Sequence, residues 1–142
     1  MTSMTARYFV DTNRLVYARD TSAPERNRIA LGWMESLWRE RNGRLSIQVL
    51  QEYYQVVTRK LRPGMPPPEA RADIQDLLCW EPQAMDGDVL RLAWIAEDRW
   101  GFSWWDSLIV AAAQEQGCDY LLTEDLQHGQ ELNGITVLNP FL

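Results

Sequence analysis

Short apolar runs alternate along the chain with longer stretches in which apolar residues recur at every third or fourth position. Runs with the length and composition of buried strands occupy residues 8–10, 45–47, 120–123 and 135–138, with a weaker one at 80–85. Helical spacing occupies residues 29–38, 49–57, 70–78, 89–96 and 106–112. Strands that alternate with helices usually pair in parallel, because a parallel connection is long enough to contain a helix. We therefore predict an α/β fold, a three-layer α/β/α sandwich with a central, mainly parallel sheet.

Capping and stopping residues mark the ends of these elements. The first long helix is expected to begin at Ser22–Pro24 and to end at Asn42–Gly43. Asp86 and Ser103 are expected to cap the last two helices. Asp11-Thr12-Asn13 follows the first strand directly, so we expect an acidic and polar turn there.

Length and composition indicate one globular domain. A chain of 142 residues with 46% hydrophobic content can build one continuous core, so we expect residues 1–142 to form a single domain. The apolar runs are too short to cross a bilayer and the N-terminus does not resemble a signal peptide, so we expect a cytoplasmic protein. Cys79, Cys118 and His128 have neither zinc-site nor disulfide spacing. The formal net charge of −6 opposes nonspecific binding of nucleic acid, so such a substrate would need local basic groups or bound cations.

Four acidic residues are predicted at or near the carboxyl edge of the sheet, where open α/β sheets bind ligands: Asp11, Glu52, Asp106 and Asp125. Singly, each has an ordinary explanation as a helix cap, a first-turn acid, a solvated helix acid or a turn residue. Together they would repel one another, and no basic residue is positioned by the sequence to neutralise each of them. Mg²⁺ and Mn²⁺ prefer oxygen ligands and would relieve this repulsion. The acids therefore indicate metal-assisted phosphoryl chemistry.

Four blocks of sequence carry a resemblance to a known family. They are Tyr8–Asn13, Ser46–Tyr54, Trp105–Ala113 and Leu122–Asp125. In this order and spacing, each with an acid, the blocks resemble the PIN domain. The closing segments Glu124–Gln130 and Val137–Phe141 are similar to its VapC-type toxin branch, and the resemblance covers nearly the whole chain.

The resemblance implies a sheet of about five parallel strands and Mg²⁺- or Mn²⁺-dependent endonucleolytic cleavage of RNA. It also implies a type II toxin inhibited by a small cognate antitoxin protein, and it suggests a homodimer. By position, Asp11 and Asp106 would be the principal metal ligands, with Glu52 and Asp125 completing the acidic pocket. Glu124 lies beside Asp125 and could take its place. The groups implied to orient these carboxylates are Thr12, Asn13, Ser46 and Thr123.

Several basic and aromatic residues have two interpretations each. Candidates either for contacts with RNA or for ordinary exposed positions are Arg7, Arg14, Arg59, Lys60 and Arg62. Trp104 either stacks on an unpaired base or packs in the core. Trp33, Trp38 and Tyr54 either pack in the core or form a groove for an amphipathic antitoxin segment.

Other functional classes make different demands on the sequence. A phosphoacceptor signalling domain has adjacent acids after its first strand and a lysine after its last, whereas Thr12-Asn13 follow Asp11 here and the only lysine is Lys60. A phosphatase with an aspartyl nucleophile has a second aspartate at the position of Asn13. A catalytically silent module of the same fold would bind RNA or protein without cleaving it.

Overall fold

The structure, a computed structural model, describes residues 5–142. The helices are α1 (Thr12–Tyr17), α2 (Pro24–Glu40), α3 (Ile47–Arg59), α4 (Pro67–Leu77), α5 (Gly87–Trp100) and α6 (Trp104–Glu115). The strands are β1 (Tyr8–Val10), β2 (Gly43–Arg44), β3 (Tyr120–Leu122), β4 (Glu131–Leu132) and β5 (Ile135–Leu138). Within this described part, no helix has the length and apolar character needed to span a membrane.

A single sheet with strand order β2-β1-β3-β5-β4 forms the middle layer. The neighbours among β2, β1, β3 and β5 pair in parallel, and β4 pairs antiparallel with β5 at the edge. Six helices flank the sheet, which confirms the predicted three-layer α/β/α fold with a mainly parallel sheet of five strands. Because β1 and β3 are neighbours in parallel, the residues that follow Val10 and Leu122 emerge side by side at the carboxyl edge.

The core lies between the central strands and the helices packed against them. Both central strands are buried where they pair, at Phe9 and Val10 in β1 and at Leu121 and Leu122 in β3. Helix α6 is buried continuously over residues 107–113, and the three alanines of that segment allow close packing. Helix α5 covers α6 on one side through a second apolar cluster, whose buried members are Val89, Ala93, Leu108 and Ala111.

The second strand lies earlier in the chain than predicted. The expected strand at residues 45–47 is wrong, because β2 is Gly43–Arg44 and Ile47 already begins α3. The Ser46 hydroxyl accepts a hydrogen bond from the Val49 N–H at 3.3 Å, so it caps α3 and ends the extended segment. Helix α2 likewise ends at Glu40, before the expected stop, because Arg41 adopts the left-handed conformation with φ of 56°.

Two further local predictions need correction, and one strand was not predicted. The weak strand expected at 80–85 is absent from the described structure, where a 3-10 turn covers Leu78–Trp80 and only Gln83 forms an isolated parallel bridge, to Ser46. The turn expected at Asp11-Thr12-Asn13 is instead the start of α1, with Asp11 as its N-cap. Strand β4 was not predicted, because two residues carry too little periodicity to mark a strand.

We predict that Gly43→Ala lowers the free energy of unfolding by about 1–3 kcal/mol, because a Cβ at Gly43 would lie 2.5 Å from the buried Trp80 ring. Gly32→Ala is the matched control, since a Cβ there meets nothing within 4 Å and Gly32 lies inside α2. The control should raise stability by about 0.5–1 kcal/mol. Urea denaturation of both variants measures the two effects, and equal shifts of the same sign would contradict the predicted clash.

Candidate active site

Asp11 is buried where β1 ends and α1 begins, and two donors hold its carboxylate. Its Oδ1 accepts a hydrogen bond from the Thr12 N–H at 2.6 Å, and its Oδ2 accepts one from the Thr123 hydroxyl at 2.8 Å. The side chain is 8% exposed. The capping role that an isolated aspartate could have is therefore present, and a threonine from the neighbouring strand joins it.

Glu52 faces Asp11 from helix α3 and is also held by hydrogen bonds. Its Oε2 accepts a hydrogen bond from the Thr12 hydroxyl at 2.8 Å, so Thr12 connects α1 to α3. Its Oε1 accepts a second hydrogen bond from Gln48 Nε2 at 3.2 Å, one helical turn earlier. The carboxylate of Glu52 thus has a defined orientation towards α1.

Asp106 and Asp125 come from two further segments. Asp106 lies in the first turn of α6, where its backbone N–H donates to the Ser103 hydroxyl at 3.1 Å. Asp125 follows β3, and its N–H donates to the Thr123 hydroxyl at 3.1 Å. Asn13 Nδ2 lies 3.5 Å from Asp125 Oδ2, a long hydrogen bond.

The four predicted acids line one open cleft of about 560 Å³ at the carboxyl edge of the sheet. Thr12 and Asn13 also line it, whereas Thr123 lies beneath it and Ser46 caps α3 instead of contacting an acid. Glu124 forms an ion pair with Arg26 and is not part of the cleft lining. The structure thus places Asp125, rather than Glu124, with the other three acids.

Burial and mutual repulsion disfavour the charged forms of two of these acids. Burial raises the pKa of Asp11 to about 7, and the nearby charge of Asp125 adds to the rise, although the hydrogen bonds from Thr123 and Thr12 oppose it. Burial also raises the pKa of Asp106, with Asp125 and Glu52 contributing by repulsion. The cleft therefore holds carboxylates in an environment that a bound cation would make more favourable.

Comparison with known proteins assigns the family. A model of the PIN domain matches residues 8–130. The chain belongs to the PIN-domain family. A search of curated protein sequences found no match.

Several solved structures share this PIN fold. VapC20 of Mycobacterium tuberculosis, a sarcin-ricin loop cleaving toxin, is 21% identical with a TM-score of 0.62 over 83% of this chain and 91% of that chain. A chain of FitAB bound to an IR36 DNA fragment is 19% identical with a TM-score of 0.69 over 95% and 96%. A chain of VapBC2 from Rickettsia felis, bound to a DNA fragment from their promoter, is 16% identical with a TM-score of 0.59 over 92% and 96%. These neighbours are VapC and FitB toxins, and identities at this level show a shared fold.

PIN nucleases typically use divalent metal ions, and the chemistry of this cleft fits such an ion. The four carboxylates offer only oxygen donors, which suit Mg²⁺ and Mn²⁺. Among residues 5–142, no three His, Cys, Asp or Glu side chains converge closely enough to hold an ion directly. An ion that keeps several of its waters fits this wider spacing, as Mg²⁺ usually does. Gln48 Oε1 is buried beside Glu52 without a donor in the described structure, and such an acceptor can receive a hydrogen bond from a water.

The structure adds cleft residues that the sequence interpretation missed or assigned differently. Gln48 was not selected, although its spacing of four residues from Glu52 on one helix was a usable signal. Trp104 packs against the cluster beneath α5, which supports the core interpretation. Its neighbour Trp105 lines the cleft and is 62% exposed. Gln51 and Gln55 also line the cleft from α3.

The basic candidates separate into different environments. Lys60 lines the cleft, whereas Arg59 donates to Gln55 and Arg62 is exposed outside the lining. Arg7 is exposed at the opposite edge of the sheet, near Asp119. Arg14 is 2% exposed beneath the Phe141 ring, which lies 4.6 Å from its guanidinium, so the expectation that Arg14 meets a substrate is not supported.

The three aromatic residues considered for an antitoxin groove do not share one surface. Trp33 packs against the core and lies 5.4 Å from the Tyr8 ring. Trp38 is 41% exposed and lines a groove of about 570 Å³ with Leu31 and other residues. Tyr54 lines a separate apolar groove between α3 and α4. The core interpretation therefore fits Trp33, and the groove interpretation fits Trp38.

We predict that the stability of the metal-free protein falls as pH rises from about 4 to about 7. The folded pKa of Asp11 is about 7 and its ordinary value is 3.8, so across this range the folded chain keeps a proton that the unfolded chain releases. Asp11→Asn removes this titration and should flatten the decline. Thermal unfolding in EDTA at pH values from about 4 to about 8 covers the predicted window and measures the difference. The exposed Asp98→Asn variant should retain the decline of the unmodified protein.

Proposed function

We propose that this PIN domain is a Mg²⁺- or Mn²⁺-dependent endoribonuclease that cleaves RNA phosphodiester bonds. The observation that carries the proposal is the meeting of four acids in one cleft, although they come from four separate segments of the chain. Repulsion among clustered carboxylates is unfavourable for folding, and a bound cation relieves it. Membership of a nuclease family supports the same conclusion.

Each acid has a distinct role in this proposal. Asp11, at the N-cap of α1, and Asp106, in the first turn of α6, would hold the ion, while Glu52 and Asp125 would complete the pocket from α3 and the segment after β3. A bound Mg²⁺ or Mn²⁺ would supply activation of a water and stabilisation of charge on the scissile phosphate. The hydroxyls of Thr12 and Thr123 fix the orientations of Glu52 and Asp11 by direct hydrogen bonds.

Asn13 and Ser46 contribute at different distances from the acids. Asn13 donates weakly to Asp125 and so restrains the segment after β3. Ser46 fixes the beginning of α3 through its hydrogen bond from Val49, and therefore acts on Glu52 only through the position of that helix. Replacement of Ser46 should consequently affect stability more than chemistry.

We further propose that the chain is the toxin of a type II pair and binds a small cognate antitoxin. Its structural neighbours are VapC and FitB toxins, and two of them were crystallised in VapBC and FitAB assemblies with DNA. The chain also offers apolar surface that could accept an amphipathic segment, because Leu31 and Trp38 are 49% and 41% exposed along one groove.

We predict that Asp106→Asn and Asp125→Asn each lower RNA cleavage by about 100-fold or more, a loss typical of catalytic electrostatic groups. Glu124→Gln is the matched control for Asp125→Asn, because Glu124 is adjacent in sequence but is paired with Arg26 outside the cleft. Cleavage of a mixed RNA pool in Mg²⁺ or Mn²⁺, beside an EDTA sample, measures all three variants.

The possible results of this assay separate the candidate functions. RNA fragments that disappear in EDTA and in both cleft variants, but persist with Glu124→Gln, support the nuclease. Equal losses for Asp125→Asn and Glu124→Gln would contradict the placement of Asp125 in the catalytic group. An absence of cleavage by the folded, antitoxin-free protein in either metal would favour the catalytically silent binding module.

We predict that Lys60→Gln weakens RNA binding and lowers the slope of log affinity against log salt by about 0.7, the value for one contact with a single-stranded phosphate. Lys60 lines the cleft, and Arg62→Gln is the control because Arg62 is exposed outside it. Binding of labelled RNA by cleavage-deficient protein at several salt concentrations gives the slope. Identical slopes for the two variants would contradict a specific contact at Lys60.

A further inference from the structure

Trp105 presents a large aromatic face beside the acids without having a role in the core. It is 62% exposed, the highest exposure among the tryptophans of the described structure, and it lines the same cleft as Asp106, the next residue. An exposed indole exposes apolar area to water, so a ligand that covers it gains binding energy. The preceding residue, Trp104, packs against the cluster beneath α5 and anchors this turn of α6.

The position of Trp105 is coupled to the acidic group. Gln48 Nε2 donates to Glu52 Oε1 at 3.2 Å and lies 3.5 Å from the Trp105 carbonyl oxygen, so one amide connects α3 to the first turn of α6. The orientation of the Gln48 amide follows from its neighbours, because the flipped amide would place Oε1 beside two other acceptors, Glu52 Oε1 and the Trp105 carbonyl oxygen. The backbone of Trp105 is therefore connected to Glu52 through the Gln48 side chain.

Helix α3 and its C-terminal end add groups to the cleft lining that can contact a sugar-phosphate chain. Gln51 and Gln55 present amides from α3, and Lys60 supplies a positive charge at the end of that helix. Arg59 donates to Gln55 Oε1 at 3.0 Å, which leaves the amide N–H groups of Gln55 for another acceptor. An aromatic face that shares a cleft with neutral donors and one cation matches an unpaired nucleotide better than a duplex, whose base faces are stacked on one another.

We propose that Trp105 is a specificity-determining residue that stacks on one unpaired base next to the scissile phosphate. The inference rests on the proposed function, since it takes RNA to be the occupant of the cleft. It assigns the selection of unpaired nucleotides to Trp105 and leaves the hydrolytic step to the acids. Removal of the indole should therefore weaken binding without abolishing the chemistry.

The test measures binding in a cleavage-deficient Asp106→Asn background. The probe is an end-labelled, mixed-sequence single-stranded RNA of about ten nucleotides, within the usual site size of such proteins, and the readout is fluorescence anisotropy. We expect Trp105→Ala to weaken binding by about tenfold or more, and Trp105→Phe to retain affinity within about threefold because it keeps an aromatic face. Trp94→Ala is the matched control, because Trp94 is 53% exposed on α5 outside the cleft.

A series of probes with one base removed at each position locates the stacked nucleotide. At that position, removal of the base should weaken binding to the Asp106→Asn parent, which retains Trp105. It should not weaken binding to the Trp105→Ala variant, because that variant has already lost the stacking contact. A fully paired RNA duplex should bind the Trp105 protein no better than it binds Trp105→Ala.

Several results would overturn the proposal while leaving the nuclease assignment to its own assay. Equal affinities for the parent, Trp105→Ala and Trp94→Ala would do so, as would undetectable binding by all of them. A change in oligomeric state for Trp105→Ala with unchanged RNA affinity would make Trp105 an interface residue instead. Cleavage by the unmodified protein is measured separately, so stacking without cleavage would contradict the nuclease, and cleavage without stacking would contradict only this inference.

Discussion

The buried carboxylate of Asp11 is the constraint around which the site is organised. Burial of a charged carboxylate is unfavourable, and the donors to the two oxygens of Asp11, from Thr12 and from Thr123, offset only part of this cost. The second donor is available because β1 and β3 pair in parallel with Val10 opposite Leu122. A shift of that register by one residue would remove the Thr123 hydroxyl and reverse the faces of the strand. The register of the central sheet and the orientation of the carboxylate therefore depend on each other.

The same constraint extends beyond the sheet through a chain of hydrogen bonds. The Thr123 hydroxyl accepts from the Asp125 N–H while it donates to Asp11, and the Thr12 hydroxyl donates from α1 to Glu52 on α3. Gln48 continues the chain from Glu52 towards the first turn of α6. Four segments that are far apart in sequence are thus held together by polar side chains. Within residues 5–142 no donor reaches Gln48 Oε1, so this oxygen can accept a hydrogen bond from a water or a ligand.

The sequence predicts the parts of this structure that follow from periodicity and from the geometry of parallel sheets. Asp11 and Asp125 could be placed together because both follow apolar strands whose carboxyl ends share one edge. The position of β2 could not be predicted, because the choice between strand and helix at Ser46 depends on a capping hydrogen bond as well as on hydrophobicity. The burial of Arg14 was also hidden, since α1 has only six residues and Phe141, which covers it, lies at the other end of the chain. The different positions of Trp104, in the core, and Trp105, in the cleft, could not be predicted either. They depend on how α5 packs on α6, which the local sequence does not determine.

The charge of the cleft limits how it can hold a polyanion. Four carboxylates and a single basic residue, Lys60, line it within the described structure, and the chain carries a formal net charge of −6. Phosphate is repelled by such a surface, so affinity for RNA in the metal-free cleft cannot come mainly from ion pairs. Stacking on Trp105 and hydrogen bonds from neutral amides do not depend on the sign of that field, because they act on bases and sugars. A divalent cation would offset part of the negative charge at the acids and would accept phosphate oxygens there, so strong phosphate binding would be confined to the place where hydrolysis would occur. The acidic composition and the proposed nuclease chemistry are consequently compatible, because the indole and neutral amides would contact bases and sugars, while the acids with their cation would contact the phosphate.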